Sequence, residues 1–123
     1  MSKVLVAEDD ADIRLLVAMR LRNAGYEVVE AEDGQQALEL VASEEPELCV
    51  LDVSMPKVDG FEVTRRIRAN RETQRLPVIL LTARAQTRDI SEGLAAGATD
   101  YVPKPFKAED LVARVNAEFE GRK

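Results

Sequence analysis

The chain has 123 residues, 46% hydrophobic and 33% charged, with a net charge of −6, a balance that fits one folded domain with a sizeable core and not a disordered chain. The acidic balance weighs against nucleic acid as a direct partner, and no apolar run approaches the ~20 residues that cross a bilayer, so no membrane partner is expected. Histidine is absent and Cys49 is the single cysteine, which excludes Ser-His-Asp catalysis, histidine-held metals, phosphohistidine carriers and multi-cysteine zinc sites.

Lys3–Ala7 (KVLVA) reads as a strand covered on both faces, because its apolar run is continuous and does not alternate. No apolar leader precedes the acids at Glu8, which points to a cytoplasmic location. Asp10 is suited to cap a helix starting near Ala11 or Asp12, along which Ile13, Leu16, Val17 and Leu21 recur at helical spacing, with Gly25 at the C-cap. A short strand follows at Glu27–Ala31, then a helix over 34–43 that Pro46 ends, then a second strongly apolar strand at Leu48–Asp52 containing Cys49 as a core residue. The turn 53–60 (VSMPKVDG) is stiffened by Pro56, and Gly60 serves the turn or the start of the next helix, in which Val63 and Ile67 share an inward face. The basic run 65–71 (RRIRANR) at helical spacing reads as a solvated face. A strand is expected over 77–82 with Pro77 at its first position, a helix over 90–96 ending at Gly97, a short strand at Tyr101 and Val102, and a last helix over 108–119. Five strand–helix pairs in strict alternation predict an α/β fold, a doubly wound five-stranded parallel sheet with five helices, forming one domain over residues 1–123.

Open α/β sheets bind ligands beyond the carboxyl ends of their strands. There the chain places Glu8, Asp9 and Asp10 after the first strand, Asp52 at the third, Thr82 at the fourth and Lys104 after the fifth. Carboxylates held close together repel one another, a cost that a divalent cation removes, and an all-oxygen donor set suits Mg²⁺, with Mn²⁺ as a substitute. Asp52 can accept a phosphoryl group covalently, Lys104 can neutralise phosphoryl oxygens and Thr82 can donate a hydrogen bond to one.

The segments VLVAEDD, VLDVSMPKVDG, PVILLTA and YVPKPF resemble, in order and spacing, the signature segments of response-regulator receiver domains, over essentially the whole chain. The resemblance implies a flavodoxin-like sheet of strand order 2-1-3-4-5 and a two-component signalling function: Asp52 takes a phosphoryl group from a histidine kinase or histidine phosphotransfer protein, in a Mg²⁺-dependent reaction. By position it implies that Asp9 and the Ser54 carbonyl ligate the metal with Asp52, and that Glu8 reaches it through water. It also implies that Thr82 and Tyr101 are the switch pair, that the Lys104–Pro105 bond is cis, and that the fourth-helix, fifth-strand, fifth-helix surface changes and engages a downstream effector protein or domain. Asp100, Asp110 and Arg114 resemble part of the charged set through which relatives dimerise on that face, which leaves a homodimer open.

Such a domain assists its own phosphorylation but is no turnover enzyme. An aspartyl-nucleophile phosphatase is the alternative; it wants an acid two residues after the nucleophile, where this chain has Ser54. A cofactor binder of the same fold wants a phosphate-cradling loop after the first strand, where Glu8, Asp9 and Asp10 would repel phosphate. In the family, the second residues after the acceptor and after the switch hydroxyl influence how long the phosphoryl group survives. Ser54 and Arg84 occupy those places, and neither is an acid or amide suited to hold an attacking water. Slow self-dephosphorylation is therefore expected, and a phosphorylated half-life of only seconds would overturn it.

Overall fold

The five apolar runs form the five strands of one sheet in a computed structural model, which describes residues 1–83 and 87–121. The elements alternate as expected: β1 (Lys3–Ala7), α1 (Ala11–Asn23), β2 (Glu27–Ala31), α2 (Gly34–Glu44), β3 (Leu48–Asp52), α3 (Gly60–Ala69), β4 (Val78–Thr82), α4 (Thr87–Ala96), β5 (Asp100–Pro103) and α5 (Ala108–Glu120). All neighbouring strands pair in parallel, in the order β2-β1-β3-β4-β5. Each strand alternates its side chains between two cores. Val4, Val6, Val50, Leu81 and Val102 face α1 and α5, while Leu5, Ala7, Leu51, Leu80 and Tyr101 face α2, α3 and α4. Burial on both faces is why the strands read as continuous apolar runs.

Local chemistry sets the helix ends. Asp10 caps α1, its carboxylate accepting from Asp12 N at 2.9 Å and Ile13 N at 3.1 Å. At the other end Gly25 adopts φ 99°, Gly25 N donates to the Arg22 carbonyl and Tyr26 N to the Leu21 carbonyl, which is a Schellman closure. Leu16 departs from expectation. Val17, Ala18 and Leu21 form the buried face of α1, whereas Leu15, Leu16 and Met19 are 55%, 43% and 50% exposed. The run LLVAM makes the helix apolar nearly all round, so its sequence does not single out the arc that meets the sheet.

The first three strands keep their predicted bounds, and a few other boundaries shift by one to three residues. α2 runs one residue further than predicted, to a left-handed Glu45 (φ 48°) just before Pro46. β4 starts after Pro77, whose carbonyl still accepts from Cys49 N at 2.9 Å. α4 begins at Thr87, three residues before the apolar periodicity shows itself. Among the described residues no helix is long and apolar enough to cross a membrane.

One contact ties α2 to the loop between β3 and α3. A Cβ on Gly34 would stand 1.7 Å from the Val58 carbonyl oxygen, a backbone atom that cannot swing aside. Only glycine lets the start of α2 lie against that loop. Gly34→Ala is expected to destabilise the fold by about 1–3 kcal/mol through overpacking. Urea unfolding measures this, and an unchanged midpoint would show that the loop is free to retreat.

Candidate functional site

β1 and β3 lie side by side where the strand order reverses, the position at which an open α/β sheet leaves a crevice. Ala7 pairs in register with Leu51, so the next residues, Glu8 and Asp52, emerge together from neighbouring strand ends. One carboxylate oxygen from each of Glu8, Asp9 and Asp52 lies within 4.8 Å of the others. Glu8 and Asp52 are only 1% and 4% exposed, while Asp9 stands at the solvent side. The structure buries Glu8, although Asp9 and Asp10 next to it are exposed.

Lys104 reaches into this group from the loop between β5 and α5. Its Nζ stands 2.6 Å from Glu8 Oε1 and 3.2 Å from Asp52 Oδ1, bridging the two buried acids. Its backbone N donates to the Thr82 carbonyl at 2.6 Å, and the Lys104–Pro105 bond is cis as expected. Glu8 Oε2 accepts from Asp10 N at 3.2 Å. Desolvation, opposed by the Lys104 hydrogen bond and reinforced by Asp52, pushes the Glu8 carboxyl up to about 7. For Lys104, burial works against the ammonium, but the hydrogen bond to Glu8 and the charge of Asp52 outweigh it and raise its pKa.

The other expected site residues take distinct places. Thr82, buried, ends β4 on the same face as Leu80, and Leu80 is in register with Tyr101 on β5. The Tyr101 side chain is buried and lies against Gly93, where an added Cβ would come within 3.3 Å of its Cδ2. Thr82 and Tyr101 thus share a sheet face, one and two strands over from the strand that carries Asp52. Ser54 is exposed in the loop after β3. Asp10 stays outside the acid cluster as the cap of α1. Arg84 lies outside the described residues. Asp100 and Arg114, two of the charged residues considered for a dimer face, pair with each other within the chain at 2.9 and 3.0 Å.

Gly60 does more than begin α3. A Cβ there would lie 2.5 Å from the carbonyl oxygen of Asp52 itself, while Gly60 N donates to the Val53 carbonyl at 2.9 Å. The glycine lets α3 start directly against the strand end that carries Asp52, a role its neighbours in sequence do not signal.

Residues 4–116 match the family described as "Response regulator receiver domain". The chain is 45% identical to the response regulator MprA of Mycolicibacterium vanbaalenii over 94% of its own length and 49% of that protein's. It is 43% identical to the DNA-binding dual master transcriptional regulator RpaA of Synechocystis over 95% of its length and 48% of that protein's. The chain therefore spans about half the length of these relatives. Among solved structures, the receiver domain of the Francisella response regulator 1452 superimposes with a TM-score of 0.93 at 34% identity, covering 100% of both chains. The Vibrio cholerae chemotaxis protein CheY4 gives 0.90 at 35% identity, covering 95% of this chain and 98% of that one.

These relatives correct the expected partners. A protein sharing 43% identity with the chain is named a DNA-binding regulator, so the exclusion of nucleic acid does not stand. The physical reason is one of scope. A net charge of −6 describes the surface of these 123 residues alone, and in a relative twice as long the DNA-contacting surface need not lie on the matched half.

Glu8 carries a pH signature that needs no metal. Its folded value near 7 lies above the usual 4.5, so the folded state holds a proton that the unfolded chain has lost between those values. Its contribution to stability is present in full below 4.5 and is lost as pH rises through about 7. In metal-free buffer the urea midpoint is expected to fall across that window, with a smaller fall in Glu8→Gln. Identical pH profiles for the two proteins would overturn this.

Proposed function

The chain belongs to the response-regulator receiver family, and from that premise we propose that Asp52 accepts a phosphoryl group from a histidine kinase or histidine phosphotransfer protein. The supporting observation is the meeting of three acids and one lysine at the reversal point of the sheet: Glu8, Asp9 and Asp52 within 4.8 Å, and Lys104 across Glu8 and Asp52. The chain is a signalling domain, and its chemistry is self-modification.

The donor set fits a hard divalent cation, because it offers closely spaced carboxylate oxygens and neither imidazole nor thiolate. In this reading Asp9, Asp52 and the Ser54 carbonyl hold Mg²⁺, or Mn²⁺ in its place, and Glu8 holds it through water. When bound, the ion supplies positive charge that offsets the repulsion among the acids and the charge of the incoming phosphoryl oxygens. An Asp52 carboxylate oxygen attacks phosphorus, the bond from phosphorus to the donor's imidazole nitrogen breaks, and an acyl phosphate forms on Asp52. Lys104, already 3.2 Å from Asp52, turns its ammonium to a phosphoryl oxygen, and the Thr82 hydroxyl donates to another. Thr82 shares a face with Tyr101, so drawing Thr82 toward phosphate stabilises the inward Tyr101 ring and reshapes the surface of α4, β5 and α5.

Two further assignments follow. The exposed apolar side chains of Leu15, Leu16 and Met19 stand on the helix that begins beside the acids, a surface suited to the phosphodonor protein. The chain matches only half of relatives such as RpaA, and the effector it controls is proposed to be a DNA-binding region.

Incubation with a small acyl phosphate and Mg²⁺, read by intact mass, tests the acceptor. The wild-type chain is expected to gain one phosphoryl group and Asp52→Asn none, while Asp9→Ala weakens Mg²⁺ binding by about tenfold or more. Undiminished uptake by Asp52→Asn would remove the assignment.

A further inference from the structure

The acids Glu8 and Asp9 are adjacent in sequence, so the peptide joining them sets how their two side chains are presented to one ligand. That peptide lies beyond the end of β1 and before the first turn of α1, outside both hydrogen-bonding ladders. Arg14 holds it. The guanidinium Nη1 donates to the Glu8 carbonyl at 2.8 Å, and the Arg14 backbone N donates to the Asp10 carbonyl at 2.9 Å. On the other side of the segment, Glu8 N donates to the Ala31 carbonyl at 3.1 Å. Residues 8 and 10 are thus tied on either side of Asp9, and Arg14 supplies two of the ties.

We propose that Arg14 is a positioning residue for the metal site: by holding the Glu8 carbonyl it fixes the Glu8–Asp9 peptide and thereby sets the affinity of the acid cluster for a divalent cation. This rests on the reading of Glu8, Asp9 and Asp52 as the metal-holding group.

The charge of Arg14 is managed so that it can sit near a cation site. The side chain is 11% exposed, and its Nε faces Glu30 Oε1 at 3.4 Å while Nη2 faces Glu32 Oε1 at 3.9 Å. Glu30 is held in turn by Arg22 Nη2 at 3.1 Å. Two carboxylates from β2 and the residue just after it therefore offset the guanidinium charge, leaving Nη1 to act as a hydrogen-bond donor. A guanidinium suits this task because its planar fork serves a carboxylate and a carbonyl at once in fixed directions, which an ammonium on a flexible stem does less well. Groups that orient ligands without touching the metal are commonly worth roughly 10–100-fold in metal affinity.

The test is a Mg²⁺ titration of the 123-residue chain followed through the backbone amide signals of residues 8–10, paired with phosphoryl uptake from a small acyl phosphate at saturating Mg²⁺. Arg14→Met is expected to weaken Mg²⁺ binding roughly 10–100-fold while uptake at saturating Mg²⁺ recovers, and Arg14→Lys is expected to restore part of the affinity. Arg22→Met, which removes the outer pair on Glu30 and a hydrogen bond to the Val28 carbonyl but no contact to residues 8–10, is expected to bind Mg²⁺ like the wild type. Wild-type affinity in Arg14→Met, an equal loss in Arg22→Met, or uptake that stays low at saturating Mg²⁺ would overturn the proposal. If Arg14→Met does not fold, Arg14→Gln, too short to span both Glu8 and Glu30, is judged by the same criteria. A wild-type chain that binds no Mg²⁺ would overturn the metal reading itself, a result distinct from a wild type that binds and an Arg14→Met that binds equally well.

Discussion

The register between β1 and β3 is the constraint on which the site depends. Pairing Ala7 with Leu51 delivers Glu8 and Asp52 side by side at the end of the sheet, and Asp9 joins them from the following turn. Nothing in the energetics of folding favours buried carboxylates in contact. They persist because Lys104 bridges Glu8 and Asp52 from the far end of the chain and because the two cores flanking β1 and β3 lock the register. A slip of one residue would send every side chain of these strands to the opposite core, whose close packing it does not fit, so the packing of the two cores enforces the approach of like charges.

Around this cluster the structure uses absent side chains as much as present ones. Gly60 lets α3 begin against the Asp52 carbonyl, and Gly34 lets α2 begin against the loop that follows Asp52. Both helices are capped by aspartates, Asp59 for α3 and Asp33 for α2, whose carboxylates accept from Glu62 N at 2.9 Å and Gln36 N at 2.8 Å. The segment between β3 and α3 is thereby braced from two sides. Gly93 on α4 leaves room for the buried Tyr101 ring, so Tyr101 and Asp52 are both seated by glycines on neighbouring helices.

Correction of the partner set has the same origin as the misplacement of Leu16. Net charge averages over a surface, and the apolar run of α1 averages over a helix; neither says which patch meets which neighbour. In α1 the sheet claims only the arc of Val17, Ala18 and Leu21 and leaves Leu15, Leu16 and Met19 outside. For the partners, relatives about twice the length of the chain, one of them a DNA-binding regulator, place the relevant chemistry beyond what the charge of these residues describes.

Much of the protein was legible in its residues alone. Strand–helix alternation, continuous apolar runs and the caps at Asp10 and Gly25 follow from local periodicity and backbone preference, and so they determine the fold class. The candidate acids, Thr82 and Lys104 were legible because a parallel sheet collects the residues after its strands at one edge. Strand order came from family resemblance, since alternation by itself does not order strands. Tertiary structure alone decided that Glu8 is buried, that Lys104 engages Glu8 as well as Asp52, that Gly34 and Gly60 mark backbone contacts, and that Arg14 holds the peptide between two acids. Each of these depends on which distant segments come within a few ångströms of one another, and no local pattern encodes that distance.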